Sequence, residues 1–137
     1  MSGLTYFDVV QTTVEDVETN DTYGGGHTPE VHQISALVTF TPSVSEIQSS
    51  ALDATILLRP IIGRIVEGIL CSLDDTPGIE LVAATEDLGV LPEDLTYVVE
   101  YSKVVFDKGQ RSLRSFRFAA LTGPGTVDLN RCERLPV

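Results

Sequence analysis

Apolar and polar residues alternate with a period of two along this chain, and no window carries apolar residues at the i, i+3, i+4, i+7 spacing of an amphipathic helix. That alternation sends successive side chains to opposite faces of a pleated strand, so the pattern predicts an all-β protein. The clearest strand runs from Ile34 to Thr41. Ile34, Ala36, Val38 and Phe40 share one face, Ser35, Thr39 and Thr41 the other, and Pro42, which lacks an N–H, ends it. A second strand spans Leu95 to Phe106, where Tyr97, Val99 and Tyr101 alternate with Val98, Glu100 and Ser102 and the β-branched and aromatic content suits a half-buried strand. Shorter strands are predicted over Leu4 to Val17, Ala54 to Leu58, Arg64 to Cys71, Ile79 to Ala84, Ser112 to Ala119 and Thr126 to Arg131.

Turn chemistry separates these runs: Gly24-Gly25-Gly26, Asp74-Asp75-Thr76-Pro77-Gly78, Asp107-Lys108-Gly109 and Gly123-Pro124-Gly125. About eight short strands at this spacing predict an antiparallel β-sandwich or barrel. Val44 to Ala51 reads two ways, as a loop or as a poor helical turn that Ser45 caps over Ile47. Glu15 to Thr28 is acidic and then glycine-rich, which predicts a mobile surface loop or hairpin inserted over residues 15–32.

With 137 residues, 42% apolar and 21% charged, the chain is expected to fold as one domain over 1–137 without a metal or disulfide staple. Twenty acidic residues against nine basic ones give a net charge of −11, a field that repels phosphate backbones and argues against a nucleic-acid partner. Cys71 and Cys132 match no CxxC or zinc spacing and are read as buried free thiols. Met1 to Val10 holds no basic stretch ahead of an apolar core, so synthesis and use in a cytosol are expected. The longest apolar run, Ile56 to Ile62, is interrupted by Arg59 and Pro60 and falls far short of a membrane span.

Candidate chemistry is sparse. Asp16-Val17-Glu18-Thr19-Asn20-Asp21-Thr22 spaces oxygen ligands as a calcium loop does, but Asp21 stands where that loop needs Gly and His27 where it needs a bidentate Glu. A solvated acidic hairpin is the better reading. His27 and His32 lack the intervening Glu of a metalloprotease helix, no GxSxG elbow is present, and Gly24-Gly25-Gly26 is flanked by Tyr23 and His27 instead of the Lys of a phosphate loop. Neither catalytic residue, cofactor nor metal is therefore expected. Arg111, Arg114 and Arg117 interleave with Leu113, Phe116 and Phe118; on a strand Arg114 would share a face with the phenylalanines and the other two would face away, so the cations line no single groove. In so acidic a chain they are expected to pair with carboxylates, its own or a neighbouring subunit's.

Val38-Thr39-Phe40-Thr41-Pro42-Ser43, Pro60-Ile61-Ile62-Gly63 leading to Gly68-Ile69-Leu70, Pro77-Gly78-Ile79-Glu80-Leu81-Val82-Ala83, Tyr97-Val98-Val99-Glu100-Tyr101, Ser115-Phe116-Arg117-Phe118 and Gly125-Thr126-Val127-Asp128-Leu129 before Leu135-Pro136-Val137 follow one another in order. This succession resembles the β-rich domain of minor tail proteins in phages that infect mycobacteria and related actinobacteria, from about Ile34 to Val137. In those relatives the closing motif often leads into a glycine-rich or fibrous extension, and none is expected within a sequence that runs to Val137. Val17 to His32 is also longer than the matching hairpin of the relatives.

The resemblance implies a virion protein made in the host cytoplasm, most readily a minor tail subunit, that binds itself or neighbouring tail or capsid proteins in a symmetric assembly. An unpaired sheet edge or an ordered loop is expected to make that attachment. Tyr23, Gly24, Gly25, Gly26, His27, Pro29 and His32 form the candidate interaction loop, and Arg111, Arg114 and Arg117 the candidate inter-subunit ion pairs. Two other readings stand beside it: a capsid decoration protein, and a host-glycan or receptor-binding module. The absence of Trp and the presence of only four Tyr weaken the second.

Overall fold

The computed structural model describes residues 4–13, 15–17, 28–30, 34–49, 52–85, 95–106, 109–110 and 112–137. Among them the chain forms strands and no helix, and so no helix long and apolar enough to cross a membrane. The strands are β1 (Tyr6–Val10), β2 (Glu15–Val17), β3 (Thr28–Glu30), β4 (Ser35–Pro42), β5 (Glu46–Ser49), β6 (Ala54–Leu57) and β7 (Ile61–Val66). They continue with β8 (Ile69–Ser72), β9 (Ile79–Val82), β10 (Thr96–Phe106), β11 (Gly109–Gln110), β12 (Phe116–Ala119) and β13 (Thr126–Asp128).

A six-stranded sheet runs β11-β10-β4-β7-β8, with β12 also paired to β10, and a three-stranded sheet runs β13-β1-β9. Hairpins β2-β3 and β5-β6 stand apart from both. Among the described residues every strand pairing is antiparallel except β1 with β13. The all-β, largely antiparallel class read from the alternation is thus the class observed, as a sandwich-like pair of open sheets and not a closed barrel.

The periodicity sets what each strand buries. In β4, Ala36, Val38 and Phe40 are buried and Ser35 is exposed; in β10, Tyr97 and Val99 are buried and Glu100 is exposed. Phe40 lies in register with Ile61 on one side and Val99 on the other. From the smaller sheet, Phe7, Val9, Ile79, Leu81 and Val127 close over these residues. Phe7 meets Tyr97 and Phe118 edge-on, with centroids 6.1 and 6.3 Å away, and Tyr97 and Phe118 stack at 6.0 Å. The Tyr97 hydroxyl donates to the Val82 carbonyl at 2.8 Å, so one side chain bonds the two sheets together.

The sheets also meet along a corner. Beyond Val10 the chain leaves β9 and runs beside β8: Leu70 N–H donates to the Gln11 carbonyl at 3.0 Å, Thr13 N–H to the Gly68 carbonyl at 2.7 Å, and Thr12 bridges Ile69. At the far side of the large sheet, Arg117 and Leu135 exchange both backbone hydrogen bonds, so the C-terminal segment covers the edge of β12.

Several elements differ from the sequence reading. Arg64 to Cys71 is not one strand but the β7-β8 hairpin, turned at Glu67 and Gly68 with φ of 50° and 83°. Two positive φ values in a two-residue loop match the right-handed twist of the flanking strands, and Gly at the second position makes the turn accessible. Of Val44 to Ala51, the described residues 44–49 contain strand β5 and no helical turn, because Ile47 is buried and pairs with Ile56 across the β5-β6 hairpin. Leu4 to Val17 divides into β1 and β2, and Ser112 to Ala119 contracts to β12. In β10 the alternation breaks at Lys103, whose φ is 53°: one extra residue shifts the register between Ser102 and Val105, so Val104 turns inward.

Phe40→Ala is expected to cost roughly 3–5 kcal/mol in urea unfolding, and Thr39→Ala on the outer face much less. Equal losses would reverse the face assignment. Gly63 is placed where β7 and β9 approach each other: a Cβ there would stand 2.6 Å from Ile79 Cδ1 and 2.7 Å from the Cys71 carbonyl oxygen. Gly63→Ala should therefore destabilise by about 1–3 kcal/mol, since the backbone oxygen has little freedom to yield. An unchanged unfolding midpoint would contradict that close approach.

Candidate functional site

The outer face of the β7-β8 hairpin follows from the same alternation that fills the core. Ile62, Arg64 and Val66 point outward from β7 and Ile69 does so from β8, with Val66 opposite Ile69 and Arg64 opposite Cys71, which shares this face but is buried. Arg64 lies between the apolar positions and forms an ion pair with Asp75, its Nε donating to Oδ1 at 2.8 Å. The loop carrying Asp75 is held by Asp74, which accepts from the Ser72 hydroxyl and from Thr76 N–H; these bonds keep its carboxyl below the ordinary range.

A second surface feature lies at the corner where β1 crosses between sheets. Gln11, Thr12, Thr13, Tyr101, Leu113, Arg114, Asn130 and Arg134 line a polar cleft of about 220 Å³. Its walls are tied down by hydrogen bonds. Tyr101 Oη donates to Gln11 Oε1 at 2.8 Å, Asn130 Nδ2 to the Thr12 carbonyl at 3.1 Å, and Arg134 Nη2 to the Leu129 carbonyl at 3.0 Å. The Arg134 guanidinium carbon also sits 4.0 Å from the Phe116 ring centroid. Gln11 is buried, and the buried Thr13 hydroxyl oxygen has no hydrogen-bond partner.

Of the ten residues singled out from sequence, Pro29, Arg114 and Arg117 are among the described residues. Tyr23, Gly24, Gly25, Gly26, His27, His32 and Arg111 lie outside the described residues. Pro29 falls in β3, opposite Asp16 in the β2-β3 ladder. Arg114 precedes β12 and is exposed at the cleft, so it does not share the buried face of Phe116 and Phe118 as a continuous strand from Ser112 required. The chain is irregular over 112–115, and the strand alternation has no hold there. Arg117 is on β12 with its Nε buried and unpartnered, facing away from those phenylalanines. The cation that joins Arg114 is Arg134, which the sequence reading missed; only its position five residues beyond the Leu129 carbonyl and above Phe116 makes it part of the cleft.

Cys71 is buried and Cys132 half-buried, both free, and burial pushes each thiol above its ordinary value. Such thiols are weak nucleophiles at neutral pH. Among the described residues no three of His, Cys, Asp and Glu come together as a metal-holding group. No family model, no curated protein and no solved structure matches the chain.

Burial also raises the phenols: Tyr97 is pushed up to about 12 and Tyr101 upward as well, despite the hydrogen bonds each makes. Because the unfolded chain gives up these protons first, the stability they contribute is complete below the ordinary phenol value of 10.0 and is lost as pH rises towards about 12. Ultraviolet titration of tyrosinate should resolve a late ionisation that Tyr97→Phe removes. A single step at the ordinary value for all phenols would contradict the burial of that hydroxyl.

Proposed function

We propose that this chain is a structural component of the virion of a tailed bacteriophage, a minor tail protein that performs no catalysis and binds neighbouring subunits of the particle. The observation that carries this reading is an apolar face on an acidic protein. Ile62, Ile69 and Leu73 are 48%, 36% and 56% exposed around the Arg64–Asp75 pair, whereas the chain as a whole carries a net charge of −11. Exposed apolar side chains clustered about an ion pair suit a surface that a protein partner covers. The ordered succession of motifs from Ile34 to Val137 supports the same reading.

Two edges of the larger sheet are already covered, which favours attachment through this face of it. The edge of β8 is taken by Gln11 to Thr13 and that of β12 by Leu135, so neither is open to a neighbour's strand. Self-repulsion between acidic copies keeps free subunits apart, and desolvation of the apolar face supplies the opposing attraction at assembly.

Intact particles analysed by mass spectrometry and electron microscopy should contain the chain in fixed copy number within the tail. Particles complete without it would end the proposal. Replacing both Ile62 and Leu73 by Glu should leave the free protein folded and reduce its incorporation severalfold; normal incorporation would move the attachment surface elsewhere.

A further inference from the structure

We propose that the cleft between Gln11–Thr13 and Asn130–Arg134 is a carboxylate-binding site, and that its occupant is an Asp or Glu side chain of an acidic protein segment. This inference does not depend on the virion reading.

The case rests on which hydrogen-bonding groups remain free once the walls are satisfied. Gln11 Oε1 is taken by the Tyr101 hydroxyl, the Thr12 carbonyl by Asn130 and the Leu129 carbonyl by Arg134. The cleft also holds the Arg114 guanidinium, the remaining N–H groups of Arg134 and the buried, unpartnered Thr13 hydroxyl, which is able to donate. Two guanidinium groups and a hydroxyl around one cleft, with no carboxylate among its lining residues, suit an anion with several lone pairs, and a carboxylate accepts bidentate contacts from Arg. Arg134 is held in advance by the Phe116 ring and the Leu129 carbonyl, so less side-chain entropy is lost on binding. Arg114 meets no carboxylate among the described residues, although acidic residues outnumber basic ones twenty to nine.

Other anions fit less well. A phosphate polymer needs a run of cations along its backbone, and the cleft offers two, Arg114 and Arg134. An acidic sugar would need a ring face to stack on, but Phe116 is covered by Arg134 and the Tyr101 phenol is half-buried with its hydroxyl engaged. A carboxylate on a peptide needs only the donors.

The test is a nuclear magnetic resonance titration of the full chain with acetylated, amidated tetraglutamate. Sodium chloride at matched ionic strength and N-acetylneuraminic acid serve as comparison titrants. With the peptide, saturable shifts are expected at the Thr12, Thr13 and Asn130 backbone amides and the Gln11 side-chain amide. Binding should weaken about tenfold or more in Arg114→Gln and in Arg134→Gln, as loss of a charge-assisted pair implies, and stay unchanged in Arg59→Gln, an exposed arginine outside the cleft. Shifts that chloride reproduces, or peptide affinity indifferent to both cleft arginines in folded variants, would overturn the site. Saturation by the sugar acid and not by the peptide would overturn the protein occupant. The unmodified chain's titration decides the matter even if a variant fails to fold.

Discussion

The structure turns on Tyr97. Its ring stacks on Phe118 within the larger sheet and meets the edge of Phe7 from the smaller one, and its hydroxyl reaches the Val82 carbonyl. Two sheets packed only through aliphatic side chains would keep some freedom to slide, because dispersion and desolvation lack direction. A buried hydroxyl bonded to a particular carbonyl removes that freedom, since any slip leaves both groups unsatisfied at a cost of about 1–3 kcal/mol. Phe7, Tyr97 and Phe118 therefore set the register between the sheets as well as filling the space between them.

The path of the first strand reinforces this constraint. Tyr6 to Val9 pair with β9, and Gln11 to Thr13 then bond to Gly68, Ile69 and Leu70, so one continuous segment belongs to both sheets. Its departure from β9 creates the corner at which the polar cleft forms. Gln11 is buried there because it points between the layers, and Tyr101 answers it with a hydrogen bond. The cleft and the core thus share a cause. By contrast, the β7-β8 hairpin has its edge covered by the same segment and presents its outer face, where Ile62 and Ile69 remain in contact with solvent.

Charge is distributed unevenly over this scaffold. Arg64 has its carboxylate in Asp75, and Arg131 has Asp128 at 3.9 Å, a long and exposed pair that contributes little. Arg114 and Arg134 are instead placed at the cleft, and Arg117 is set against the C-terminal segment with its Nε desolvated. The two thiols, raised by burial, are weak nucleophiles at neutral pH.

Side-chain direction in a strand is a local property, and the sequence by itself determined everything that follows from it. The class, the inward set Ala36, Val38, Phe40, Tyr97 and Val99, and the stop at Pro42 were legible from period-two alternation alone. Even the β7-β8 turn had a local signal in Glu67-Gly68, overlooked because the alternation of apolar residues continues on both sides of it. Partner choice is different in kind. Nothing local in Gln11 to Thr13 specifies β8, nor does anything local in Thr126–Asp128 specify a parallel match to β1, because backbone hydrogen-bonding groups are alike in every strand. The chain settles those pairings by the burial that all its strands achieve together. The cleft inherits the same property: Arg114 and Arg134 come from separate parts of the chain and meet only because β10, the corner after β1 and the C-terminal segment are packed against one another.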